Sequence, residues 1–117
     1  MSPMSDEERE SPENFLNHLL ASVTGILAAM IVSVEGVPIA SKPSTNLDEG
    51  HVAAMIAVML SLGKKATRAW QKGEFQQVFV RGVNGYFLIR RWGPDKILAI
   101  STTADVKLGY ILDDFLA

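Results

Sequence analysis

Apolar residues recur at helical spacing in three places along the chain and run on or alternate in five shorter stretches between them. Ser11, followed by Pro12, Glu13 and Asn14, supplies a cap, a first-turn proline and a first-turn acid. Phe15, Leu16, Leu19, Leu20 and Val23 then repeat with the period of a helix, which predicts an amphipathic helix ending near Thr24 and Gly25. From Ile26 to Val34, ILAAMIVSV is apolar towards both sides, as a strand covered on both faces requires. Glu35-Gly36 turns the chain into VPIASK, where Pro38 cannot donate to a ladder and so belongs at a sheet edge.

Asn46 or Thr45 can cap a second, longer helix with Asp48 and Glu49 in its first turn, continuing to about Gln71 before Lys72-Gly73 ends it. Three strand-like runs follow. EFQQVFVR leads through the Gly82-Val83-Asn84-Gly85 turn to YFLIRRW, and Gly93-Pro94-Asp95 leads on to KILAIS, which predicts an antiparallel meander. Leu108, Ile111, Leu112, Phe115 and Leu116 line one face of a C-terminal helix that starts near Asp105.

This order of elements predicts an α/β domain of the α+β type: a five-stranded antiparallel sheet with helices on its faces. The runs apolar towards both sides belong at the centre, Pro38 at one edge, and the meander keeps its own sequence. The strands therefore lie in the spatial order 2-1-5-4-3.

Along the long helix, Val52, Met55, Ile56, Val58, Met59, Leu60, Leu62 and Trp70 cover an arc of about 200° at the helical period, more than one sheet needs. Burying one such side chain is worth roughly 1.5–3 kcal/mol, against a whole-domain stability of roughly 5–15 kcal/mol. The last edge strand, with Phe75, Val78, Phe79 and Val80 and no proline or lysine inside it, is unprotected against pairing. Both features fit a two-fold homodimer in which the sheets join edge to edge and the long helices meet. Its candidate interface residues are Met55, Val58, Met59, Leu62, Phe75, Gln77, Val78, Phe79 and Val80. The alternative is that the chain's own loops cover the arc and the edge twists away.

The length of 117 residues, with 48% hydrophobic and 21% charged, fits one folded domain over 11–117. Residues 1–10, carrying Asp6, Glu7, Glu8 and Glu10 without apolar periodicity, read as a solvated, mobile acidic arm. The segment lacks the cationic start and apolar centre of an export signal, and the run from Val52 to Leu62 is about half of the roughly twenty residues a membrane span needs. A net charge of −2 gives no general attraction to nucleic acid, and the absence of cysteine suits a cytoplasmic location.

Candidate chemistry is sparse. His18 and His51 are far apart and match no metal-ligand spacing, no nucleophile elbow or phosphate-binding loop is present, and Asp113-Asp114 are adjacent and point apart. No catalytic, cofactor or metal residues are assigned. Arg90 and Arg91 alternate across a strand and make no single patch. Lys64, Lys65 and Arg68 share the polar arc of the long helix and are the candidates for contact with an acidic partner surface.

Four stretches, GILAAMIVSVEGVPIAS, the helix ending GKKATRAW, FQQVFVRGVNGYFLIRRW and KILAISTTADVKLGYILDDF with its Gly109, together resemble the Roadblock family of dynein light chains and small-GTPase regulators, in its stand-alone prokaryotic type. The resemblance covers the chain from about Glu13 to its end. It implies the profilin-like Roadblock architecture, with the long helix on one face and two terminal helices on the other, and pairing through the third strand and long helix into a ten-stranded dimer. It also implies a non-catalytic platform that binds a small Ras-like GTPase on its paired helices. A structural adaptor of the dynein-light-chain kind is the alternative, a small-molecule sensor a weaker one, and an enzyme the least supported.

Overall fold

Helix α1 (Pro12–Ser22) begins as its capping residues dictate: Ser11 is extended, and its Oγ accepts a hydrogen bond from the Asn14 amide at 3.4 Å. The computed structural model describes residues 11–43 and 48–115. The acidic segment 1–10, the cap candidates Thr45 and Asn46, and Leu116 lie outside the described residues. Strands β1 (Ile26–Ser33), β2 (Pro38–Lys42), β3 (Gln77–Gly82), β4 (Gly85–Arg91) and β5 (Lys96–Thr102) form one antiparallel sheet in the order β2-β1-β5-β4-β3. Pro38 opens the edge strand β2, where its missing N–H costs no ladder bond.

The sheet is covered on both sides, and its side-chain alternation sorts the core into two halves. On one side Phe15, Leu16 and Leu19 of α1 and Ile111 of the C-terminal turns meet Ile31, Leu88, Leu98 and Ile100. On the other, Ala53, Ile56 and Leu60 of α2 (Glu49–Ala69) meet Val32, Ile89, Ile97 and Ala99. Strand β5 feeds both halves, which explains the unbroken apolar run ILAI.

Three boundaries differ from the sequence expectation, each for a local reason. Asp48, expected inside the first turn of α2, is its cap, with Oδ1 accepting from the His51 amide at 3.2 Å. The C-terminal helix does not start near Asp105. Thr103 still pairs with Gly25 (N–H to carbonyl, 2.8 Å), and its hydroxyl donates to the Asp105 carboxylate at 2.7 Å, holding this segment in a turn. Helical turns follow only from Leu108, and Tyr110–Phe115 wind as a π-helix.

Phe75 is the third case. It lies before β3, not in it, because its ring is drawn under α2 against Gly63. A Cβ at Gly63 would meet that ring and come within 2.9 Å of Val78 Cγ2. Alanine would favour the helix by roughly 1 kcal/mol over glycine, but overpacking costs roughly 1–3 kcal/mol, so steric conflict wins. Gly63→Ala is expected to lower the urea midpoint, with unchanged slope; a raised midpoint would show that the helix and β3 separate freely.

Candidate docking surface

The surface of interest is built on α2 and the ends of β3 and β4. Glu49 anchors the start of the helix by accepting a hydrogen bond from Ser41 Oγ of β2 at 2.7 Å. Its C-terminus is closed by the Lys72 amide bonding to the Thr67 carbonyl at 2.8 Å, with Gln71 in the left-handed region at φ 54°.

Of the apolar arc, Val52, Ile56, Met59 and Leu60 are turned to the chain's own sheet. Val58 and Leu62 are each 58% exposed, Met55 is 43% exposed, and Trp70 is more exposed still. The chain's own loops therefore do not cover this half of the arc. Spaced three, four and seven residues apart, Met55, Val58 and Leu62 form one stripe on the face of α2 turned away from the sheet.

The rim β3 divides its side chains between the faces. Val78 lies opposite Ile89 and packs with Phe75 on the core beneath α2. Val80, opposite Phe87 on the α2 side, and Phe79, opposite Leu88 on the α1 side, stay 44% and 43% exposed. Gln77 pairs with Arg90 and is half-buried. Thus Phe79 and Val80 leave apolar surface on either side of an edge that ends the sheet.

The three cations singled out in the helix differ in their placement. Lys64 and Arg68 line a hollow of about 410 Å³ at the C-terminal end of α2, together with Thr67, Gln71, Gly73, Glu74, Phe75 and Arg91. Lys65 is exposed and does not line it. Arg91 reaches the hollow because β4 alternates: Phe87, Ile89 and Arg91 fall on the α2 side. Arg90 falls on the other side, where burial lowers its pKa from the ordinary arginine value. Arg91 is the residue the sequence reading missed. Strand alternation counted from Ile89 carries the signal.

Among the described residues the one ion pair is Lys96–Asp95, so Lys64, Arg68 and Arg91 face the hollow without a described counter-ion. The geometry offers a cationic recess beside an apolar stripe and an open strand rim. These are features for protein contact. No three of the described His, Asp and Glu residues converge as metal ligands, and no described helix is long and apolar enough to cross a membrane.

The sequence pattern of the Roadblock/LC7 domain matches residues 13–102, most of the chain. The chain belongs to the Roadblock/LC7 family. Its fold is that of solved members and relatives. The Roadblock/LC7 domain from Streptomyces avermitilis is similar with a TM-score of 0.75 at 20% identity, over 82% of this chain and 81% of that one. Myxococcus xanthus MglB gives 0.76 at 18% identity over 92% and 81%. The gliding protein MglB of Thermus thermophilus gives 0.71 at 14% over 93% and 81%. No curated protein matches the sequence. As a Roadblock/LC7 domain the chain falls in a family of regulatory or adaptor modules that are in general non-catalytic.

Proposed function

We propose that this Roadblock/LC7 chain is a non-catalytic homodimeric platform that binds a small Ras-like GTPase and regulates or localises it in the cytoplasm. The observation that carries the reading is the outer stripe of α2. Met55, Val58 and Leu62 stand exposed at helical spacing, next in the chain to a strand rim with Phe79 and Val80 uncovered. Two copies meeting through the β3 rims and the long helices would cover both. Val58, Leu62, Met55, Phe79 and Val80 are then the principal interface residues. Met59, Phe75 and Val78 support the same region from beneath α2, and Gln77 flanks the rim on the other face, beside Phe79. Paired in this way, the helices would present Lys64, Lys65 and Arg68 of each copy as contacts to an acidic face of the GTPase.

A platform of this kind changes its partner's state only through differential affinity for the two nucleotide forms. The test is titration of the small Ras-like GTPases of the source genome, loaded with GDP or a non-hydrolysable GTP analogue, against the full chain. One form should bind at least about tenfold more tightly, which corresponds to about 1.4 kcal/mol. Lys64→Glu/Arg68→Glu should weaken that complex by roughly tenfold or more through like-charge contact. Equal affinity for both forms would leave only the adaptor role, and no binding to any of them would end the GTPase reading.

A further inference from the structure

Trp70, at the end of α2, is 76% exposed, and neither half of the core includes it. An aromatic side chain buries roughly 150–250 Å², so about 150 Å² of this one lies open. That is about a fifth of the roughly 800 Å² that each partner gives to an interface of standard size. Tryptophan is also among the residue types that most often carry an interface's energy.

Gly63 fixes the side on which Trp70 stands. A Cβ on Gly63 would meet Phe75 and Val78, so this side of α2 overhangs the rim strand β3. Seven residues on, after almost two whole turns, Trp70 leaves the helix on the same side to within about 20°. Val52, eleven residues before Gly63, and Met59, four before it, share that side and are only half-buried. The overhanging side is thus apolar from one end of α2 to the other.

The same contact sets the level of the two elements. Val78 lies beneath Gly63, seven residues before the helix gives way, so β3 runs back along α2. At about 3.3 Å per strand residue and 1.5 Å per helical residue, the middle of β3, between Phe79 and Val80, is level with about residue 60. Two β3 rims joined antiparallel about that middle have their two-fold axis normal to the sheet. Both copies of α2 then lie on one face of the joined sheet, run in opposite directions, and bring residue 70 of one level with about residue 50 of the other.

The charges of α2 suit this direction. Asp48 caps its start and Glu49 follows, while Lys64, Lys65 and Arg68 crowd its end. Antiparallel copies set each acidic start beside a cationic end, with the helix dipoles opposed. Parallel copies would set like charge beside like.

We propose that Trp70 is an anchor of the homodimer, seated on Val52 and Met55 of the partner subunit. Met55, 43% exposed, offers a thioether to the indole ring. The inference rests on the homodimer reading above and adds to it the direction of the helices and a residue outside the exposed stripe.

The test uses the full chain grown with 5-fluorotryptophan, which has two labelled positions, Trp70 and Trp92. Trp70→Phe assigns the two fluorine resonances. Across a dilution series followed in parallel by sedimentation, the Trp70 resonance is expected to move in step with the fraction of dimer. That of Trp92, stacked on Phe15 on the other face of the sheet, should stay in place. Trp70→Ala should weaken association by at least about thirtyfold. Because the sequence has no cysteine, Met55→Cys and Ala66→Cys chains can also be mixed and oxidised, and each should link to the other faster than to itself.

A dimer whose Trp70 resonance does not move, or that forms equally well with Trp70→Ala, would overturn the proposal and leave the homodimer standing. Ala66→Cys linking fastest to itself would overturn it too, since the helices would then be parallel. A chain that sediments as a single copy at every concentration would overturn both readings together.

Discussion

On the proposed pairing, Val58→Asp/Leu62→Asp is expected to leave the chain a folded monomer. The two side chains are each 58% exposed in the single chain, so placing carboxylates there changes the stability of one copy by little, within about 0.5 kcal/mol each. In a helix-to-helix interface the same positions would be buried. Each lost apolar side chain forfeits roughly 1.5–3 kcal/mol, and a pair of them weakens association by roughly 10²–10⁴-fold. The two-fold axis sharpens the effect, because each substitution enters the interface twice. Sedimentation velocity across a concentration series, with circular dichroism to confirm the fold, separates the outcomes. A variant that associates like the parent chain removes the long helix from the interface and leaves only the β3 rim to join copies.

Much of this fold is legible in the sequence because few arrangements satisfy its strands. Pro38 must lie at an edge, and Ile97–Ile100, buried on alternating sides, must lie inside; the meander turns at Gly82–Gly85 and Gly93–Asp95 then leave one order. Boundaries are less legible because they depend on competing local bonds. Asp48 and Asn46 are both able caps, and nothing in the spacing decides between them. Asp105 looks like a helix start until Thr103 claims its carboxylate.

The candidate surface divides in the same way. The exposed stripe of Met55, Val58 and Leu62 follows from counting residues around a helix. The recess does not follow from such counting, because it joins elements distant in sequence. Lys64 and Arg68 gain Arg91 only when β4 passes beneath the end of α2. Judged as a pair, Arg90 and Arg91 are dispersed; assigned singly to the two faces of β4, one enters the site and the other stays outside it. Gly63 is similar, since a glycine inside a helix looks like a weakness until Phe75 closes against it.

Gly85→Ala is expected to have the largest effect on stability among the glycine substitutions. Gly85 opens β4 at φ 156°, opposite Gly82 across the hairpin, and its Cα faces the backbone of Thr102 at the end of β5. A Cβ there would meet the Thr102 carbonyl oxygen and approach its carbonyl carbon to 3.0 Å. That carbonyl cannot rotate aside. The buried Thr102 hydroxyl accepts from the Tyr86 amide at 3.3 Å and donates to the Thr103 carbonyl at 2.9 Å, while Thr103 is tied to Gly25. Relieving the contact means parting β4 from β5 at the centre of the sheet, where Leu88 and Ile100 pair.

Backbone strain of roughly 1–3 kcal/mol adds to this lost pairing, for a total on the order of 3 kcal/mol and a melting temperature lowered by about 10 °C or more. Gly73→Ala and Gly93→Ala are the controls. Both glycines have positive φ, 85° and 77°, but a Cβ at either meets nothing within 4 Å, so only the conformational cost of roughly 1–2 kcal/mol applies. Thermal melts of the three variants therefore divide steric conflict from backbone preference. A Gly85→Ala chain no less stable than the two controls would mean that the β4–β5 junction yields, and that the close approach of Gly85 to Thr102 is not what fixes the end of the sheet.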